Sequence, residues 1–254
     1  PASVESIGIG AFASCPLTAM EVPFVGHDRT AAIGHIGYFF GAETAAGNTM
    51  CPATLRRVTI LSGCTAIGEG AFADCDGIET LELPATIVSI GRGAFTPAQL
   101  AAVSVEEGGF LYIGRVLSSY NPASAPKNVT MRDSTVAIAA GAFDGLAITG
   151  IDLPDSVAHI GAGAFRGATM TTLTLPFIGE SADSESNATR AYLFGGEVPA
   201  TLTSVVLNER CTRIASGAFA GASGLREVTS GASVHEIGTG AFRGCTALTS
   251  IRVD

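Results

Sequence analysis

The chain has 254 residues, 47% apolar and 15% charged, enough apolar material for a sizeable core and too much for an intrinsically disordered chain. Fourteen basic residues against 23 acidic ones give a net charge of −9, and Lys127 is the single lysine, so nucleic acid and anionic membrane surfaces are repelled. No stretch approaches the roughly 18 consecutive apolar residues of a membrane-spanning helix, and none reads as a secretory leader.

In chain order the first recognisable element is a Gly-Ala-Phe turn at 10–12, and the same tripeptide returns at 70–72, 93–95, 141–143, 163–165, 217–219 and 240–242. The text before each copy aligns as well. IETLELPATIVSIGRGAF (78–95) matches ITGIDLPDSVAHIGAGAF (148–165), and LRRVTILSGCTAIGEGAF (55–72) matches LREVTSGASVHEIGTGAF (225–242). The unit L-x-x-L-x-L-P-x-[ST]-V-x-x-I-G-x-G-A-F-x-x-[CA] predicts a short strand with alternate residues buried, ended by proline, which has no N–H for a ladder. A second apolar pair follows, such as Val157 and Ile160, then a small-residue turn, and phenylalanine fills the space between layers.

One unit cannot bury its own apolar face, whereas stacked copies can, so the period implies a solenoid. Strand starts are expected at Leu17, Leu55, Ile78, Leu100, Pro126, Ile148, Met170, Leu202, Leu225 and Leu248, giving about ten coils in one domain over residues 1–254. The step is 22 or 23 residues, except after Leu17, Leu100 and Met170, where it is 38, 26 and 32. These longer steps place insertions near 23–51, 106–125 and 176–198. Both termini cut through a repeat, which is expected of a fragment of a longer array or of an array whose caps are missing.

The combination of L-x-x-L-x-L, P-x-S-V-x-x-I-G and G-A-F-x-x-C at this period resembles the BspA-like leucine-rich repeat family, over nearly the whole chain. The resemblance implies a leucine-rich-repeat solenoid, with a strand on one side of each coil and short helical or irregular turns on the other. It also implies export to the surface of host-associated anaerobic bacteria, and adhesion to host matrix proteins or to other cells.

Two insertions resemble each other: PFVGHDRTAAIGHIGYFFG (23–41) and PFIGESADSESNATRAYLFG (176–195). Insertions in repeat arrays often form the binding face, which makes His27, Asp28, Arg29, His35, Tyr38, Tyr112 and Tyr192 candidate contacts. A shared P-F-[VI]-G is equally a local way of closing a longer coil. The third insertion, GGFLYIGRVLSSYNP (108–122), predicts a protruding hairpin around Gly114. On the strands, the outward positions between buried ones supply a second candidate surface: Glu21, Arg57, Thr59, Glu82, Ser104, Thr130, Asp152, Thr172, Thr174, Ser204, Val206, Glu227, Thr229 and Arg252, extended by Thr171, Thr203, Thr249 and Ser250. Small hydroxyl residues in register make a shallow polar face for a large partner, although threonine is also simply a good solvated strand residue.

Catalytic patterns are not found. The glycine-rich turn GEGAFADC lacks the Gly-Lys-[Ser/Thr] of a phosphate loop, and Gly-x-Ser-x-Gly and His-Glu-x-x-His do not occur. No cofactor or metal is therefore expected. The cysteines replace apolar residues of sister repeats: Cys15, Cys75 and Cys245 stand where others have Leu146, Ala168 and Ala222, and Cys64 and Cys211 where others have Val157 and Val234. Cys51 takes the place of Val198, so six free core thiols are expected. His27 and His35 read as solvated loop residues, and His159 and His235 as surface positions. Asn128 and Asn187 open glycosylation sequons, which matter only in a host that modifies them. The expected function is a non-enzymatic extracellular binding module engaging a host matrix or cell-surface protein or glycan. The alternatives are a structural stalk presenting other domains and a glycan-binding accessory module.

Overall fold

A computed structural model describes residues 3–30, 34–121, 128–184 and 187–253, with the backbone alone for 128–130. The chain forms two compact units, Pro1–Val105 with Tyr112–Val116, and Glu106–Leu111 with Leu117–Asp254. Both are built from stacked repeats, about eight solenoid turns in all with little helix, against the ten coils expected. Among the described residues no helix is long and apolar enough to cross a membrane.

In the first unit, strands β1 (Ala19–Val22), β2 (Arg57–Ile60) and β4 (Thr80–Glu82) form a three-stranded parallel sheet, and the two-residue strands β3 (Ala66–Ile67) and β5 (Ser89–Ile90) pair on another side of the coils. The helix α1 (Pro97–Val103) comes next in the first unit; β6 (Val105–Glu107), β7 (Phe110–Ile113) and β8 (Val116–Tyr120) follow and are divided between the two units. In the second unit, β9 (Asn128–Thr130), β11 (Gly150–Asp152), β13 (Thr172–Leu175), β14 (Ser204–Leu207), β16 (Glu227–Ser230) and β18 (Ser250–Val253) make a six-stranded parallel sheet in chain order. Between them come β10 (Ala137–Ile138), β12 (His159–Ile160), β15 (Arg213–Ile214), the helix α2 (Arg190–Phe194) and β17 (Glu236–Ile237). Strands β6, β7 and β8 extend the pair β10–β12, and β15 pairs with β17.

The repeat motif explains each of these features. Met20, Val58, Val205 and Val228 point inward from alternate strand positions and are buried, as are Ile67, Ile90, Ile138, Ile160 and Ile214 from the second apolar pair. The glycine after that isoleucine lies against the preceding coil: a Cβ at Gly91, Gly161 or Gly238 would overlap the backbone nitrogen of Glu69, Ala140 or Ser216. The glycine of each Gly-Ala-Phe is left-handed, with φ of 61° at Gly70, 59° at Gly163 and 66° at Gly217. The phenylalanine N–H then donates to the next coil, Phe72 to Ala94 O, Phe143 to Ala164 O and Phe219 to Ala241 O, at 2.7–2.8 Å. Their rings stack, 5.5 Å apart for Phe143–Phe165 and 5.7 Å for Phe219–Phe242.

Leu100 starts no strand. Thr96 caps α1: its hydroxyl accepts from Gln99 N–H (3.3 Å), the Gln99 Oε1 accepts from Thr96 N–H (3.0 Å), and Pro97 occupies the first turn. Threonine, proline and glutamine at these positions are a helix-start signal that outweighs the leucine spacing. Gln99, itself buried, also donates from Nε2 to Cys75 O at 3.0 Å, tying the helix to an earlier coil. Replacing Thr96 by alanine is expected to cost about 1 kcal/mol, read as a lowered urea midpoint with the slope unchanged.

The third insertion does form a hairpin, turning at Gly114 (φ 57°), but it does not protrude. Phe110, Tyr112, Ile113, Val116, Leu117 and Tyr120 are buried, and β7 and β8 are consecutive strands of the sheet that runs on to β10 and β12. Tyr120 continues the aromatic stack, 4.8 Å from Phe110 and 6.1 Å from Phe143.

The candidate binding face

In the second unit the six parallel strands are in register without a slip. One outward row runs Gly150, Thr172, Ser204, Glu227, Ser250, and another Asp152, Thr174, Val206, Thr229, Arg252. Thr130 heads the second row by backbone register; its side chain lies outside the described residues. Asp152, Thr172, Glu227, Ser250 and Arg252 are exposed, and Thr174, Ser204 and Thr229 are half-buried. Val206 is the large apolar side chain of these rows and is 38% exposed. An open groove of about 280 Å3 lies beside the strand starts, lined by Ile148, Thr149, Thr169, Met170, Thr171 and Thr201 among others. In the first unit the equivalent rows are Ala19, Arg57, Thr80 and Glu21, Thr59, Glu82, and the Thr59 hydroxyl donates to Glu82 Oε2 at 2.9 Å.

Threonines at the entry to the strands play a different part. Thr54 donates from its hydroxyl to Leu17 O (2.8 Å), Thr171 to Thr149 O (2.8 Å), Thr203 to Thr171 O (3.2 Å) and Thr249 to Arg226 O (3.3 Å). Each is a rung between neighbouring coils, so Thr171, Thr203 and Thr249 stabilise the stack and do not extend a free hydroxyl surface. A second ladder uses the [ST] of the motif, Thr86 to Cys64 O and Ser156 to Thr135 O, both 2.6 Å. Where the intervening coil carries an insertion, Arg210 replaces the hydroxyl and its guanidinium spans back to the carbonyls of Asp155 and Val157.

Ser104 is the C-cap of α1, not a strand-face residue, and its Oγ is buried without a hydrogen-bond partner. Among the insertion candidates, Tyr38 (7% exposed), Tyr112 (1%) and His35 (4%) are interior. The expectation that His35 is a solvated loop residue is corrected: it precedes the 3-10 turn Ile36–Phe40, and its ring packs edge-on to Tyr38 at 6.2 Å. His159 is half-buried rather than exposed, and burial lowers its pKa, while His235 is exposed. Tyr192 is half-buried, and burial with the nearby Glu180 pushes its phenol up to about 12. Its carbonyl accepts the Gly163 N–H at 2.6 Å, as that of Tyr38 accepts the Gly10 N–H at 2.9 Å. The two tyrosines are thus equivalent, and Phe40 and Phe194 two residues on stand where a repeat has its phenylalanine. Phe194 lies 5.9 Å from Phe165, and Phe24, Phe39, Phe177 and Leu193 are buried in the same way. The shared P-F-[VI]-G and aromatic-F-G texts therefore rebuild the core of a longer coil.

His27, Asp28 and Arg29 are half-buried at the surface. Hydrogen bonds from the Thr30 hydroxyl (2.6 Å), the His27 ring (3.0 Å) and Thr30 N–H (2.8 Å) lower the Asp28 carboxyl to about 2. A depressed folded pKa favours folding above the unfolded value, and this contribution fades as pH falls through about 2. A carboxyl 13C titration should find the Asp28 midpoint near 2; a midpoint near 3.9, the ordinary value, contradicts this network. Among the described residues no three His, Cys, Asp or Glu side chains group to hold a metal ion.

Parallel strands at a leucine-rich period, a phenylalanine stack behind them and an in-register outer face define a leucine-rich-repeat scaffold. The chain belongs to the family described as BspA type leucine rich repeat region, which matches residues 49–171, 117–189 and 188–254 with six copies. No curated protein matches the chain. Among solved structures, a leucine rich cell surface protein of Faecalibacterium prausnitzii is similar at 23% identity and a TM-score of 0.45, over 83% of this chain and 62% of that one. A leucine-rich repeat protein of Bacteroides ovatus is similar at 20% identity and 0.42, over 97% and 69%. A leucine rich repeat protein of T. pallidum is similar at 23% and 0.28, over 78% and 66%. The chain thus spans less than two thirds of the Faecalibacterium protein's length.

Proposed function

We propose that this chain is a non-enzymatic binding module of an extracellular bacterial surface protein, which recognises a host matrix or cell-surface protein or glycan through its outer strand face. The observation that carries the reading is the pair of in-register outward rows in the second unit, where Asp152, Thr172, Glu227 and Ser250 are exposed and, among the described residues, no core or ladder contact uses them. Membership of a leucine-rich-repeat family supports a scaffold that presents a surface. The rows hold no aromatic residue, the usual anchor of tight contacts, so the binding is weak per site and gains from repetition.

A stalk that holds other domains away from the cell is the second reading, favoured by the threonine rungs that turn much of the hydroxyl content inward to coil stacking. Binding of the monodisperse chain to a panel of host matrix proteins and glycans, beside an unrelated repeat protein, separates the two. A saturable signal above the control is expected. A flat response across the panel contradicts the binding module and leaves the stalk.

A further inference from the structure

The thiols of Cys64, Cys211 and Cys245 each reach a backbone carbonyl, those of Ala66, Arg213 and Phe219, at 3.1–3.3 Å. Cys51 and Cys75 instead meet each other, Sγ to Sγ at 3.7 Å. Cys51 ends the 3-10 turn Ala45–Met50 of the first insertion, and Cys75 follows the Gly-Ala-Phe of the next coil. Cys51 is half-buried and therefore reachable by solvent, whereas Cys75 is 4% exposed.

We propose that Cys51 and Cys75 are a disulfide-forming pair, which a low-molecular-weight disulfide oxidises to a covalent staple between the first insertion and the following repeat. The sulfurs are already in contact, and a bond needs them about 2.0 Å apart. The chemistry is thiol–disulfide exchange in two steps. The Cys51 thiolate attacks one sulfur of the reagent, a bond forms between them as the reagent's S–S bond breaks, and one thiolate leaves. Cys75 Sγ then attacks Cys51 Sγ and displaces the second reagent thiolate. The protons of both cysteines end on the two released thiols, so two protein thiols lose two electrons and one reagent disulfide gains them.

The surroundings assign the order of events. The contact between the two sulfurs lowers the Cys51 thiol and raises that of Cys75, which burial and the flanking Asp74 and Asp76 raise further; Cys75 Sγ also lies 3.9 Å from Asn48 O. Cys51 is thus both the more exposed sulfur and the better attacking one. The closed loop spans 24 residues of separation, long enough for the cross-link to restrict the unfolded chain appreciably.

The test incubates the whole chain with oxidised glutathione and counts thiols. The count is expected to fall from six to four. Digestion with trypsin and a glutamate-specific protease should yield residues 44–56 joined to 70–79, which separates Cys75 from Cys64. The thermal midpoint should rise and return on reduction. Cys51→Val and Cys75→Ala are suitable controls, because Val198, Ala168 and Ala222 stand at the corresponding places of sister coils. Neither variant should give the linked peptide or the gain in midpoint. A count that stays at six, a link to another cysteine, or the same gain in Cys51→Val overturns the proposal.

Discussion

Replacing Phe165 by alanine is expected to lower the unfolding free energy by about 3–5 kcal/mol, one of the two largest effects of any substitution considered for this chain. The ring is fully buried and lies between two others, 5.5 Å from Phe143 and 5.9 Å from Phe194. Its coil is pinned on both sides by main-chain bonds, Phe143 N–H to Ala164 O at 2.8 Å and Phe165 N–H to Leu193 O at 3.0 Å. The coils therefore cannot collapse into the space, and most of the cavity persists. Urea denaturation followed by circular dichroism measures the loss. Phe242, half-buried with a ring neighbour at Phe219, should cost clearly less. Equal losses at the two positions would contradict a continuous stack as the source of cohesion.

The second large effect belongs to Asn48, a residue of the first insertion with no counterpart in the repeat motif. Its side chain is fully buried: Oδ1 accepts the Gly37 N–H at 2.8 Å, and Nδ2 donates to Gly70 O at 2.8 Å and Ala73 O at 2.9 Å. Asn48→Ala leaves the Gly37 N–H and Ala73 O unmet, while Gly70 O keeps the Ala73 N–H at 3.1 Å, and about 2 kcal/mol should be lost, on the order of 1 kcal/mol for each unmet group. Asn48→Asp should be at least as damaging at neutral pH, because a carboxylate oxygen would then face two carbonyls where the amide donated. If Asn48→Ala shifts the urea midpoint no more than an exposed substitution such as Thr49→Ala, the insertion is not held by this amide.

The period of the fold was legible because every repeat meets the same physical demands, and Ile160, Gly161 and Phe165 recur wherever a coil must fill, approach and stack on its neighbour. Register followed from the same pattern: among the described residues eight of the nine expected strand starts from Leu17 to Leu248 are followed by a strand of a parallel sheet, and the start expected at Pro126 lies outside them. Leu100 misled because apolar spacing alone does not separate a strand from a short helix, and the stronger signal was the Thr96-Pro97-x-Gln99 start. His35, Tyr38 and Tyr112 looked like surface candidates since insertions are usually loops. The burial of His35 and Tyr38 follows from the aromatic-F-G ending, which supplies a coil's phenylalanine by another route, and that of Tyr112 from a hairpin that joins the sheet. The hydroxyl rungs of Thr171, Thr203 and Thr249 could not be read from composition, because a solvated threonine and one bonded to the preceding coil look alike in sequence. The meeting of Cys51 and Cys75 was hidden for a similar reason: each replaced an apolar residue in its own alignment column, and only stacking brings the columns together.

The burial of Phe177, Ile178, Leu193 and Phe194 also decides how recognition should be tested, since removing that insertion would remove core. The most direct test of the binding face therefore uses exposed positions only. One variant carries Asp152→Lys, Thr172→Lys and Glu227→Lys on the strand face, and another carries Asp183→Lys and Ala191→Lys on the insertion surface. Both are compared with the unmodified chain on the matrix-protein and glycan panel, with thermal midpoints confirming that each is folded. The strand-face variant is expected to lose about tenfold or more in apparent affinity, or about 1.4 kcal/mol, while the insertion variant binds as the parent does. Binding that survives the strand-face changes and fails in the insertion variant would contradict recognition through the strands.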